Sequence, residues 1–100
     1  MEWYGVRTVV RWGDCDAYEE RLTIWRASSA DQAIELAERD AVKYAEIVSG
    51  RYAGLAQSYL IGPEQPGHGD EVYSLLRDSV LDPDEYLSTY FDTGAEHTAG

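Results

Sequence analysis

The stretch "SADQAIELAERDAVKYAEIVSG", residues 29–50, predicts one long helix around which the other elements of the chain can be arranged. Its apolar side chains recur at three- and four-residue steps, the spacing of one helix face; they are Ala33, Ile34, Ala37, Ala41, Tyr44, Ala45 and Val48. Ser29 and Gln32 form a capping-box signature at the start, and Gly50 suits the left-handed residue that ends many helices. Because the apolar face is mostly alanine, we expect this helix to lie close against a sheet.

Two segments before the helix show the alternation of apolar and polar residues that is typical of half-buried strands. They are "WYGVRTVVRW", residues 3–12, and "YEERLTIWRA", residues 18–27. Residues 13–17 between them are rich in Gly and Asp, which favours an antiparallel hairpin.

The register of that hairpin decides which face of the sheet each side chain occupies. We expect Trp12 to face Tyr18, a pairing that puts Trp25 opposite Gly5. Trp25 would then lie on the face that the long helix leaves uncovered.

Two further strands are predicted after the helix, at "YAGLAQSYLIG", residues 52–62, and "EVYSLLRDS", residues 71–79. Pro and Gly in the intervening "PEQPGHGD" break any continuous element. The predicted fold is therefore α+β: a four-stranded antiparallel sheet in ββαββ order, with one long helix on one face and a short C-terminal helix.

The short C-terminal helix is predicted over residues 82–91. Asp82 suits the N-cap and Pro83 the first helical position. One side of this helix is apolar, and we expect it to pack on the chain's own sheet as core; it consists of Tyr86, Leu87, Tyr90 and Phe91. Residues 1–94 have the size of a single domain, and residues 95–100 are predicted to be a disordered tail.

The predicted sheet has a second face that one long helix cannot cover. Trp25 would lie on that face, and the strand at 71–79 carries apolar residues on both sides, including Tyr73 and Leu75. We therefore predict that Trp25, Tyr73 and Leu75 form an exposed apolar patch. Such a patch is typical of a partner interface, and a homodimer is the expected assembly.

The charge of the chain is acidic and uneven. Its net charge is -11, from 19 acidic and 8 basic side chains, and the residues from Gly62 onward contain nine acids against the single base Arg77. Without a basic cluster the chain is poorly suited to bind phosphate backbones directly. The acidity indicates either a well-solvated surface or a surface that meets a basic protein partner.

The N-terminal residues and the cysteine content predict a cytoplasmic protein. Glu2 and the aromatic residues after Met1 do not resemble the basic and apolar parts of a secretory signal. No apolar run approaches the roughly 20 residues of a membrane span. The single Cys15 cannot form an internal disulfide, which agrees with a reducing compartment.

Few residues point to chemistry. Cys15 lies between Asp14 and Asp16, whose charges disfavour the reactive thiolate, so we interpret it as a passive thiol in a loop. His68 and Asp70 share a Gly-rich loop and could contribute to a metal site or an acid/base pair, but no second histidine stands at a suitable spacing. The sequence therefore predicts no catalytic residue, no cofactor and no metal ligand.

Four short motifs carry a resemblance to a known family. They are Trp3-Tyr4, Glu19-Glu20, the "SADQA" that opens the long helix, and "EVYS" at residues 71–74. Together they resemble an uncharacterised family of small bacterial proteins, classed as a domain of unknown function, over most of the chain up to about Ser79. The family has no assigned activity, so the resemblance implies the ββαββ arrangement and no functional residues.

Three functional hypotheses follow. The first is a non-enzymatic interaction module, homodimeric, acting through an apolar sheet face and the acidic C-terminal part. The second is a small enzyme or ligand-binding protein with a site at the sheet face or dimer interface, using His68, Asp70 and tyrosines. The third is an acidic inhibitor or immunity-type protein of a basic partner.

Overall fold

The computed structural model describes residues 1–13 and 16–91 as three strands and two helices. The elements are β1 (Glu2–Arg11), β2 (Tyr18–Ala27), α1 (Ala30–Ile47), β3 (Arg51–Gly62) and α2 (Pro83–Tyr90). The strands form one antiparallel sheet in the order β2-β1-β3. Cys15 and the predicted tail at 95–100 lie outside the described residues.

The α+β class is confirmed, but the prediction of four strands is wrong. Residues 71–79 form no strand, although the sequence alternates as a strand would. We call residues 71–77 the strap, because they cross the face of the sheet that α1 does not cover. The crossing point is Gly5, where a Cβ atom would come within 1.6 Å of the carbonyl oxygen of Val72. A segment that lies flat on a face pairs with no strand edge, and this is why the strap adds no fourth strand.

The hairpin register also differs from the prediction, by one residue. Tyr18 pairs with Arg11, and Trp25 pairs with Tyr4 instead of Gly5. The hairpin closes through the Trp12 N–H, which donates to the carbonyl of Ala17 at 2.9 Å. Since a shift of one residue exchanges the two faces of a strand, Trp25 lies on the α1 side, packed against the buried residues around Tyr4.

The core lies between α1 and one face of the sheet. Four alanines at successive turns of α1 are buried, as the apolar spacing predicts; they are Ala33, Ala37, Ala41 and Ala45. They contact the inward side chains of β1, of which Val6 and Val10 are fully buried. Small side chains on the helix let its backbone approach the sheet closely.

Both ends of α1 have cap residues. Ser29 Oγ accepts a hydrogen bond from the Gln32 N–H at 3.1 Å, which confirms the predicted N-cap. At the other end Ser49, with φ of 55°, takes the left-handed conformation that the sequence predicts for Gly50. Gly50 is required for a different reason: a Cβ there would come within 2.0 Å of the Arg11 carbonyl oxygen.

The short helix α2 forms where it is predicted, and Asp82 caps it by accepting from the Glu85 N–H at 2.9 Å. The prediction that α2 belongs to the core is wrong, because none of its residues is buried. Phe91, just beyond its end, is 51% exposed. The aromatic side chains of α2 gather around Arg77 of the strap, so their packing is local.

Candidate interaction surface

The sheet face away from α1, here called the outer face, carries apolar and charged side chains side by side. On β1 it includes Gly5 and Arg7, and on β2 the opposing Ile24 and Leu22. Leu22 is 55% exposed and Ile24 is 44% exposed. Two neighbouring aliphatic side chains on one strand thus remain open to solvent, although the strap crosses the same face.

The first half of the strap is held down by side-chain hydrogen bonds to β3. The Tyr59 hydroxyl donates to the Glu71 carboxylate, and this hydrogen bond raises the pKa of Tyr59. The Tyr73 hydroxyl donates to Gln57 Oε1 at 2.9 Å, and the Tyr59 and Tyr73 rings lie 6.2 Å apart. Together with the close approach of Val72 to Gly5, these contacts fix the path of the strap across β3 and β1.

The second half of the strap exposes aliphatic side chains. Leu75 is exposed, Leu76 is 91% exposed, and Val80 just beyond the strap is fully exposed. Leu75 lines the same crevice as Leu22 and so continues the apolar surface that begins at Leu22 and Ile24. Exposed aliphatic side chains that lie next to one another, as Leu22 and Leu75 do, are a common feature of protein-interaction sites.

Arg77 joins the strap to α2. Its guanidinium lies over the Tyr90 ring, 4.6 Å from the centroid, and donates to the Tyr86 hydroxyl at 3.3 Å. That hydrogen bond raises the pKa of Arg77. An open crevice of about 290 Å³ separates this group from the sheet, where Arg7 and Glu20 form an ion pair.

On the opposite side of the sheet, hydrogen bonds and an ion pair connect α1 to β2. Glu19 accepts from the Tyr44 hydroxyl at 2.6 Å and from Trp12 Nε1 at 3.1 Å. The Tyr44 hydrogen bond is the main reason that the pKa of Glu19 is lowered. Arg21 lies over the Tyr44 ring at 3.9 Å and pairs with Asp40 at 3.1 Å. These contacts attach α1 to β2.

His68 and Asp70, the two residues that could have carried chemistry, share one exposed turn, and Asp70 lines an open crevice with Tyr59 and Glu71. The Asp70 carboxylate accepts from the Gly67 N–H at 2.7 Å and so closes a turn, while His68 is exposed in that turn. Within residues 1–13 and 16–91, no group of three or more His, Cys, Asp or Glu side chains is placed to hold a metal ion. Cys15 and His97 lie outside this part of the chain.

Of the three residues predicted as a partner interface, Tyr73 and Leu75 line one crevice on the outer face, and Trp25 lies apart from them. Tyr73 is half-buried in contacts within its own chain, Leu75 is exposed on the strap, and Trp25 lies on the α1 side. Leu22 and Ile24 take the place on the outer face that the predicted register assigns to Trp25. The alternation of β2 could have placed Leu22 and Ile24 on the outer face, but only if the hairpin loop had been predicted to be one residue shorter.

Comparisons with known proteins assign no family. Neither a family model, nor a curated protein, nor a solved structure matches the chain. The resemblance to an uncharacterised bacterial family therefore stays a prediction. Among the described residues no helix is long and apolar enough to cross a membrane.

Proposed function

We propose that the chain is a non-enzymatic protein-interaction module that works as a homodimer, with the β2 side of its outer face at the interface. The observation that carries this proposal is the exposure of neighbouring aliphatic side chains: Leu22 and Ile24 on β2, and Leu75 on the strap, which lines one crevice with Leu22. Burial of aliphatic surface is the main favourable contribution to most protein association. A second copy is the partner that is always present at matching concentration.

The acidic C-terminal part follows the strap along the chain. Asp78, Asp82, Asp84 and Glu85 follow the strap without an intervening base. Such a run repels phosphate backbones and attracts cationic surfaces, so the further partner we propose is a basic protein and not a nucleic acid. One cysteine and no possible internal disulfide suit the cytoplasm as the proposed location.

The mass of matched variants tests the homodimer. Leu22→Lys places a charge on the outer face, whereas Val42→Lys makes the same change on the exposed side of α1, where Val42 is 47% exposed. By light scattering the unmodified chain and Val42→Lys should show twice the chain mass of 11.2 kDa, and Leu22→Lys should shift towards a single chain.

Circular dichroism checks that all three proteins are folded. A single-chain mass for the unmodified protein at every concentration would contradict the homodimer. Equal behaviour of the two variants would place the interface elsewhere.

A further inference from the structure

We infer that the two copies pair edge to edge through β2, antiparallel and centred on Thr23, so that two three-stranded sheets join into one sheet of six strands. This inference rests on the proposed homodimer and specifies which strand, which residues and which register make the interface. It would place the two α1 helices on the same face of the joined sheet.

The two outer strands of the sheet differ in how well they could accept another strand. In the described part of the chain, β2 and β3 each have one edge without a strand partner. The β3 strand is irregular, with register shifts against β1 and a positive φ of 83° at Gly54. Such bulges interrupt an edge and hinder pairing. The β2 strand pairs with β1 over ten residues without a shift, so its outer edge is the regular one.

The hydrogen-bond phase of the hairpin shows which groups of β2 point outward. Because Trp12 bonds to Ala17, and antiparallel ladder bonds alternate, the odd-numbered residues of β2 bond to β1. The N–H and C=O groups of the even-numbered residues, Leu22 and Ile24 among them, point away from the sheet. The side chains of these same residues lie on the outer face.

The sequence of β2 is complementary to itself in one register. Directly paired residues of a continuous sheet have their side chains on the same face. Centred on Thr23, the pairing sets Leu22 of each copy opposite Ile24 of the other, and Glu20 of each copy opposite Arg26 of the other. Two aliphatic pairs and two opposite-charge pairs result, which are among the favourable cross-strand combinations, and Glu20 would meet Arg26 in addition to its partner Arg7 in its own chain.

The neighbouring registers are less complementary. Centred on Leu22, the pairing sets Glu20 opposite Ile24. Centred on Ile24, it sets Leu22 opposite Arg26 and Glu20 opposite Ser28. Each of these puts a charge against an aliphatic or neutral side chain, so the Thr23-centred register is the one that the side chains of β2 select.

The inward charges of β2 do not oppose this pairing. Inward-pointing charges protect an edge when pairing would leave them without partners. Here Glu19 and Arg21 are already bonded within the chain, to Tyr44 and Asp40 respectively. Arg26 has no carboxylate within 4.0 Å among the described residues, and Glu20 of the second copy, which also pairs with Arg7 of its own chain, would supply one.

Site-directed disulfides test the register in a Cys15→Ser background. In the inferred dimer Thr23 faces its own counterpart in a non-hydrogen-bonded pair, where Cα atoms about 4.5 Å apart permit a disulfide. The two Glu20 residues would lie six positions apart along the strands, roughly 20 Å. Under mild oxidation Thr23→Cys should give roughly tenfold or more covalent dimer than Glu20→Cys, because only the paired thiols share a high effective concentration.

A second experiment leaves the Thr23 hydroxyl in place. Glu20→Cys and Arg26→Cys proteins, mixed before oxidation, should form a covalent heterodimer, whereas neither should link to itself. If the protein shows twice the chain mass but neither the Thr23→Cys disulfide nor the mixed Glu20→Cys and Arg26→Cys disulfide forms, the β2 pairing is wrong and the proposed homodimer stands. A single-chain mass would overturn both.

Discussion

The carbonyl oxygen of Val72 occupies the place where a side chain on Gly5 would begin, 1.6 Å from the position of a Cβ atom. The strap can lie this close to the β1 backbone only because residue 5 has no side chain. Gly5→Ala should therefore lift the strap from the outer face and lower the free energy of unfolding by about 1–3 kcal/mol, the usual range for overpacking. Urea denaturation measures the loss, and faster proteolysis within the strap locates it.

Gly67→Ala is the matched control for that change. A Cβ at residue 67 would meet only a carboxylate oxygen of Asp70, at 3.8 Å, which is ordinary contact. Its stability and proteolysis should stay close to those of the unmodified protein. Unchanged proteolysis in Gly5→Ala would show that the strap does not depend on this contact.

The alanines of α1 set the distance between the helix and the sheet. Ala41 is fully buried beside Val10, so Ala41→Leu should force the helix outward and cost about 1–3 kcal/mol. Val42→Leu, at the next and exposed position, should change stability by less than about 0.5 kcal/mol. Thermal melts of the two variants provide the comparison, and equal melting temperatures would contradict the close packing described for α1.

The Tyr44 hydroxyl should make stability depend on pH through Glu19. The pKa of Glu19 is lowered in the folded protein, mainly by this hydrogen bond, from its usual value of 4.5. Its charged form therefore stabilises the fold fully above about pH 4.5, and this contribution is lost as the pH falls through the lower folded pKa. Tyr44→Phe should be less stable than the unmodified protein at neutral pH, and the difference should vanish in acid.

Phenylalanine keeps the ring beneath Arg21, so this variant isolates the hydroxyl. Tyr18 is an exposed tyrosine next to Glu19 on β2, and Tyr18→Phe should show no such pH-dependent difference in stability. Urea denaturation from neutral pH down through the acid range gives the comparison. A difference that stays constant with pH would show that Glu19 is not the group involved.

The C-terminal helix should be dispensable for folding. No residue of α2 is buried, so a chain that ends at Leu81 should still unfold cooperatively. Phe91→Ala should cost less than about 1 kcal/mol, well below the roughly 3–5 kcal/mol for a buried aromatic residue. Thermal melts decide this, and loss of cooperative unfolding in the truncated chain would place α2 in the core.

The elements that form through local interactions were predictable from the sequence. The apolar steps of α1, its Ser29 cap, the alternation of the first two strands and the Asp82 cap all depend on residues within a few positions of one another. Each of these elements is found where the sequence predicts it, to within a few residues.

The errors concern contacts between distant parts of the chain. The segment at 71–79 alternates as a strand does, but alternation does not state whether a segment pairs with an edge or lies on a face. Gly5 could have indicated that a segment lies on this face, because a glycine within a strand often marks the close approach of another backbone. The one-residue error in the hairpin register assigned Trp25 to the wrong face, and Leu22 and Ile24 were therefore not predicted as exposed residues of the outer face.

The most direct test of the β2 interface is amide hydrogen exchange measured by NMR in concentrated and in dilute solution. The N–H groups of Leu22 and Ile24 point outward from β2, and those of Ser58 and Leu60 point outward from β3 by the same alternation. If β2 pairs with a second copy, the Leu22 and Ile24 amides should exchange slowly in concentrated solution and speed up on dilution, while the β3 pair exchanges quickly throughout. Rapid exchange of Leu22 and Ile24 at every concentration, matching Ser58 and Leu60, would contradict the interface.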